Sequence, residues 1–335
     1  MNDRPWAPGA VTGIGSLPGT DPAEAARLVF GELPGLPHLA ELPARGAGAD
    51  MIGRSAALLV DLPVEIAPSG WRFTAHAGHE LRRARDFLAW DLDAVEAAAE
   101  GYAGPFKVQV AGPWTLAASL ELGTGHRVVS DHGATRDLAE SLADGLADHL
   151  AELVKRVPGA VPVLQLDEPS LPAVLAGAVP TPSGYGTVRA VDAAAAEQVL
   201  RGVLSVAPEG SRVVHSCASD VPVELLRNAG ADAISLDATG LGVAQYDVLG
   251  ATVEAGISLW LGVLPSIDGP VSFAAARERV RELWTALGFP FGQLAERVVA
   301  TPACGLAGAS GAHARAVLKT LRELGSWLTD TAAEG

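Results

Sequence analysis

Residues 135–169, TRDLAESLADGLADHLAELVKRVPGAVPVLQLDEP, hold the unit on which the fold turns. Leu138, Leu142, Leu146, Leu150 and Leu153 recur at three- to four-residue steps, with Asp and Glu on the other face. That is an amphipathic helix over Thr135–Arg156. The apolar run Val161–Asp167 after it has the length of a buried strand. It ends in a polar cluster, Asp167-Glu168-Pro169.

The same alternation extends both ways. Strand windows fall at Val11–Ser16, Ala57–Leu62, Phe106–Ala111, Val161–Asp167, Arg212–Cys217, Ala233–Asp237, Ser258–Leu264 and Arg297–Cys304. Helical periodicity marks Asp21–Gly31, Asp86–Glu100, Thr135–Arg156, Ala193–Val206, Ser272–Leu287 and His313–Leu324. Strands alternating with helices imply a parallel sheet covered on both faces. An open doubly wound sheet and a closed barrel both satisfy that. The strand ends favour the barrel. Ile14-Gly15-Ser16, Gly112-Pro113-Trp114, Asp167-Glu168-Pro169, His215-Ser216-Cys217, Asp237 and Cys304-Gly305 all close their strands with polar, Gly or Pro residues. A barrel draws its site from many strand ends, whereas an open sheet uses one switch point. The expected architecture is therefore an α/β (β/α)₈ TIM barrel, with residues 1–335 as a single barrel domain. Leu33–Gly53 reads as an insertion loop after the first helix, and Ala176–Gly186 as a long βα loop.

Composition excludes several classes. A net charge of −15, from 39 acidic and 24 basic residues, argues against a nucleic-acid partner. No apolar run approaches the roughly 20 residues of a membrane span. Met1–Gly9 shows no secretory signal, so a cytoplasmic setting is expected. In such a compartment two cysteines are poor material for a structural disulfide.

Their neighbours suggest another use. In Val213-Val214-His215-Ser216-Cys217, alternate residues share a face, so His215 and Cys217 point together. Taken alone, His-x-Cys also suits a buried histidine beside a small apolar cysteine. Cys304 shifts the balance, because it closes the last strand window and opens on the same barrel mouth. One imidazole and two thiolates with an open fourth position is the catalytic zinc pattern. Asp237 ends the intervening strand and is either a fourth ligand, a partner of His215, or a local cap. Trp114 either stacks on a planar donor or anchors its loop. His76 and His79 read as solvated loop residues.

These residues resemble the zinc motifs of the cobalamin-independent methionine synthase family: His215-x-Cys217, the acidic end of Ala231–Asp237, and Pro302-x-Cys304-Gly305-Leu306. Ile14-Gly15-Ser16-Leu17-Pro18 is similar to that family's strand-one segment at the homocysteine backbone. Gln165-Leu166-Asp167-Glu168-Pro169 is similar to its strand-four segment, whose Asp meets the amino group. Gly112-Pro113-Trp114-Thr115 is similar to a strand-three loop near the methyl donor. The matches run in family order from Gly13 to Leu306.

The resemblance implies the barrel shared with uroporphyrinogen decarboxylase, a Zn²⁺ cofactor and methyl transfer to homocysteine. It assigns the metal to His215, Cys217, Cys304 and Asp237, where the family has Glu. It assigns catalysis to Asp167, His215, Cys217 and Cys304, and substrate contacts to Ile14, Gly15, Ser16, Asp167 and Trp114. The expected activity is that of a zinc-dependent S-methyltransferase. Its partners would be a small-molecule thiol and a methyl donor, either a folate or a methylated corrinoid, which a carrier protein could present. The family's histidine near strand seven has no counterpart in Gly262–Asp268, and only one barrel is present, which favours the corrinoid. The competing readings are another thiol acceptor, a decarboxylase-like barrel, and a non-enzymatic zinc or corrinoid-pathway protein. No Arg lies in the matched strand ends, which weakens the decarboxylase.

Overall fold

The computed structural model describes residues 4–334. Eight strands form: β1 (Val64–Ala67), β2 (Gly70–Phe73), β3 (Gly104–Ala111), β4 (Ala160–Asp167), β5 (Arg212–Ser216), β6 (Ala233–Asp237), β7 (Ser258–Leu264) and β8 (Val298–Pro302). The helices before β4 are α1 (Pro22–Glu32), α2 (Met51–Ala56), α3 (His79–Ala98), α4 (Pro113–Ser119) and α5 (His132–Arg156). After it come α6 (Leu171–Ala176), α7 (Ala193–Leu204), α8 (Val223–Asn228), α9 (Tyr246–Glu254), α10 (Phe273–Leu287), α11 (Leu294–Arg297) and α12 (Gly311–Glu334). Asp side chains cap α1, α2, α5 and α7 by accepting from first-turn N–H groups. Each such cap contributes about 1 kcal/mol. Among the described residues, no helix is long and apolar enough to cross a membrane.

β3 to β8 form a six-stranded, curled parallel sheet in sequence order. β1 and β2 are a separate antiparallel hairpin that the sequence reading did not anticipate. Two of the eight expected strands are not strands. Val11–Ser16 makes only isolated parallel bridges, Val11 to Ala300 of β8 and Ser16 to Glu41. Ala57–Leu62 has no ladder at all. It prolongs α2 through turn bonds such as Ala57 N–H to Gly53 O at 3.0 Å, and Asp61 then takes a left-handed φ of 56°. Its Leu58 carbonyl lies where a Cβ on Gly145 of α5 would stand, so the run packs against helices instead. The expected insertion loop lies beside β3 instead. His38 bridges Lys107 of β3, and Glu41 N–H donates to Gly15 O at 3.1 Å.

The sheet is apolar on both faces for different reasons. Its outer face packs under the helices in the main core, with Leu164, Val214, Ile234 and Leu259 fully buried. Its inner face is layered along the strands. Val163, Val213, Ala233, Trp260 and Val299 form an apolar plug with Trp6, Ala10 and Leu36. Trp6 meets Trp260 edge to face, with centroids 5.2 Å apart. Period-two alternation then puts Gln165 and Asp167, His215, and Ser235 and Asp237 on that inner face, nearer the carboxyl ends. Chemistry is confined to the open end because the other end is filled.

Candidate metal centre

β5 sets the centre. His215 follows Val213 of the plug on the same face, and Cys217 follows His215 just past the strand's end. His215 is 3% exposed, and its Nδ1 lies 3.0 Å from Ser235 Oγ, the residue opposite it on β6. Its Nε2 is buried without a hydrogen-bond partner.

Cys304 arrives from the other side through an irregularity. The β7–β8 register shifts between Gly262 and Leu264, and Ala303 N–H donates to Leu264 O at 2.8 Å. A Cβ on Gly262 would stand 2.6 Å from Ala303 Cα and 3.0 Å from Pro302 O, so only glycine lets the chain pass here. Cys304 Sγ comes to 3.2 Å from Cys217 Sγ. Ligand atoms of His215, Cys217 and Cys304 all lie within 4.8 Å of one another.

The two thiols divide one proton. The hydrogen bond from Cys304, followed by the nearness of the His215 ring, holds Cys217 well below the ordinary thiol range, to about 4. Donating that bond, together with burial, pushes Cys304 up. A thiolate, a second thiol and a buried ring nitrogen with no protein partner fit a zinc ion bound by three side chains, with a fourth position open.

Asp237 stays out of this cluster. Its Oδ1 accepts from Thr239 N–H at 2.7 Å and Thr239 Oγ1 at 2.6 Å, closing the turn after β6. His76 and His79 are exposed and join no such cluster among the described residues.

Asp167 ends β4 directly opposite His215. Gln165 Nε2 donates to its Oδ1 at 2.7 Å, and burial raises its pKa against the pull of His215 and Lys107. Next to it, Glu168 points to the other side. It accepts from Trp114 N–H, Thr115 N–H and Thr115 Oγ1 at 2.7–2.9 Å, and burial pushes it up to about 7.

Ile14, Gly15 and Ser16 do line the same mouth. Ile14 O accepts from Lys107 Nζ at 2.7 Å and from Gln165 Nε2 at 3.0 Å. The side chain of Gln109 fills the space a Cβ on Gly15 would take, 2.7 Å away. The Ser16 hydroxyl lies against Gly305, and Leu306 N–H donates to Ser16 O at 2.8 Å. Trp114 does not join them. It is 2% exposed, and its indole N–H donates to Ala196 O of α7 at 3.0 Å. Its ring is a packed anchor with no face for a donor, which corrects its assignment to substrate.

The sequence reading missed a buried polar layer beneath the centre. Lys107, fully buried, is brought down to about 7 by burial, opposed by Asp167 and Glu41. Burial also raises Glu41 to about 7 and lowers His38 to about 3. The visible signal was Lys107 and Gln109 at alternate places in an otherwise apolar strand, which puts both on the inner face.

Residues 9–326 match the profile of a family described as the cobalamin-independent synthase, catalytic domain. The chain belongs to that family. It is thus an enzyme chain of methionine synthase type, a methyltransferase family. Among solved structures, the B12-independent methionine synthase from Shewanella sp. W3-18-1, determined in complex with selenomethionine, superposes with a TM-score of 0.63 at 13% identity. The match covers 98% of this chain and 100% of that one, and shows a shared fold. The 3-keto-D-glucoside 4-epimerase YcjR from E. coli matches at a TM-score of 0.38 and 14% identity, over 77% of this chain and 97% of its own. No curated protein matches the sequence.

Proposed function

We propose that this synthase-family chain is a zinc-dependent S-methyltransferase that moves a methyl group to a thiol, homocysteine, giving methionine. The observation that carries the reading is the convergence of His215, Cys217 and Cys304 within 4.8 Å at the ends of β5 and β8. We read the sheet as a single-domain (β/α)₈ barrel. Val11–Leu17 and Pro37–Leu42 serve as its first two staves, joined through the bridges to β8 and β3.

His215 Nε2 and the two Sγ atoms would hold the zinc. Stabilisation of the acceptor sulfur as thiolate at neutral pH is the chemistry that zinc supplies when bound, since a free thiol of pKa ~8.5 is mostly protonated there. The chain itself orients the acceptor. Asp167 takes the amino group, and the Gly15–Ser16 backbone meets the carboxylate. The apolar plug closes the far end of the barrel, so sulfur and donor meet only at the mouth. The sulfur attacks the methyl carbon in line. The methyl–donor bond breaks with its electron pair left on the donor, and the thiol proton is released. A methylated corrinoid suits this chain best, since that leaving group needs no proton, Gly262–Asp268 holds no histidine, and the Nε2 of His313, which reaches this segment, is engaged with Pro265 O at 3.0 Å. The selenomethionine held by the Shewanella protein is an analogue of the proposed product, which supports the acceptor class.

The test is metal content followed by cobalt substitution and titration with homocysteine. The reading expects near-stoichiometric zinc and a thiolate-to-cobalt absorption change. A metal-free protein with both cysteines freely alkylated at neutral pH would remove it.

A further inference from the structure

The centre explains how sulfur is held but not why the acceptor should be an amino acid. Any small thiol could reach the fourth position. The layer just beneath it contains one group that connects the two ends of the amino-acid head.

Gln165 sits on β4, fully buried, two residues before Asp167 and on the same face. Its amide nitrogen has two protons and uses both. One goes to Asp167 Oδ1 at 2.7 Å and the other to Ile14 O at 3.0 Å. Lys107 Nζ shares Ile14 O at 2.7 Å and also donates to Gln109 Oε1 at 3.2 Å. Gln109 in turn fills the space beside Gly15 and donates to Leu39 O. Side chains from β3 and β4 thus fasten the Ile14–Ser16 segment, which has no strand ladder of its own. A carboxylate with one oxygen fixed has one defined free oxygen to offer. A peptide whose carbonyl is fixed has a fixed orientation for the groups after it.

We infer that Gln165 is a positioning residue that makes this site selective for a thiol bearing an α-amino-acid group, by locking Asp167 and the Ile14–Ser16 turn into one arrangement. The inference rests on the acceptor assignment of the preceding section. Gln165 touches neither sulfur nor metal ligand, so its effect is confined to the head of the acceptor. Placement is what it supplies: a site built to hydrogen-bond a polar group rejects the analogue lacking it, because the site's own polar groups are then left unpaired.

The experiment compares homocysteine with 4-mercaptobutyrate, the same thiol without its amino group, by spectral titration of the cobalt-substituted protein. The native protein should prefer homocysteine at least tenfold. Lys107 Nζ still holds Ile14 O at 2.7 Å in Gln165→Met, so this variant should keep its metal and its affinity for 4-mercaptobutyrate within about twofold, while the preference collapses to near parity. In an Asp167→Asn background, Gln165→Met should change the preference no further, because both act through one carboxylate. Gln165→Glu, which keeps the shape but turns a donor into an acceptor, should lose the preference as well, and it carries the test if the Met variant does not fold. An intact preference in a folded, metal-loaded variant overturns the inference, as does an equal loss of affinity for both thiols. If the native protein responds to neither thiol, the proposed function falls and this inference falls with it.

Discussion

The imidazole of His215 is held from behind by Ser235, Nδ1 to Oγ at 3.0 Å, while its buried Nε2 has no hydrogen-bond partner among the described residues. That contact holds the ring plane before any metal arrives. Groups that orient a metal-bound imidazole are commonly worth 10–100-fold in metal affinity. Ser235→Ala should therefore weaken zinc binding by about one to two orders of magnitude, with the melting temperature of the metal-free protein little changed. Chelator competition measures the first and a thermal melt the second. Unchanged affinity would show that packing alone orients the ring.

Asp237 gives a contrasting expectation. Its carboxylate is taken up by Thr239, so Asp237→Ala should leave the metal stoichiometry intact. The turn after β6 loses two hydrogen bonds to a charged acceptor, a cost of about 1–3 kcal/mol by denaturant melt. A folded Asp237→Ala protein that no longer retains zinc would return this carboxylate to the ligand set.

Gly262 is where the sheet yields to bring in Cys304. The atoms a Cβ would strike are Ala303 Cα, Pro302 O and Leu236 O, all backbone, so no side chain can swing aside. Gly262→Ala should destabilise the fold by about 1–3 kcal/mol and move Cys304 away from Cys217. Slower disulfide formation under mild oxidation would report that separation directly, with a loss of zinc affinity alongside it. Native rates of disulfide formation would refute the argument.

Glu168 should leave a signature in pH. Its folded pKa is about 7, above the ordinary 4.5, because burial outweighs the donors of Trp114 and Thr115. Between those values the folded chain holds a proton that the unfolded chain has released. Stability conferred by this residue is therefore full below 4.5 and falls as pH rises to about 7. Comparing Glu168→Gln with the native protein in denaturant melts at pH 4 to 8 isolates the effect. The native protein should lose stability relative to the variant across that window and level off above it. A flat difference would mean that the donors keep the carboxylate ionised throughout.

Much of this site is legible in the sequence, for a physical reason. A strand that ends at the open edge of a curled sheet must stop being apolar there, so His215, Cys217, Asp167 and Cys304 announce themselves as polar ends of apolar runs. All four meet at that edge in the structure. The first two strand windows were less readable. Ala57–Leu62 looks like a strand, but it owes its apolar character to packing against α5, beside Gly145. The true neighbour of β3, near His38, is interrupted by prolines and bears a buried histidine. Trp114 misled because an aromatic residue at a strand end suits an anchor as well as a ligand platform. Lys107 lies inside the window Phe106–Ala111 and Glu41 inside the loop Leu33–Gly53, and neither place signals chemistry by pattern alone, yet both side chains are buried.

The uneven pairing around the sheet divides the site into halves of different durability. His215, with β4 and β6 on either side of its strand, belongs to continuous ladders, and those amides open only with the sheet itself. The Ile14–Ser16 segment hangs from single bridges and from the side chains of Lys107 and Gln165. Amide exchange should thus be slow across the metal half and fast across the half that receives the amino-acid head. Under the proposed function, the segment that receives the acceptor would open far more often than the strand that carries His215, so many turnovers would pass for each loss of metal.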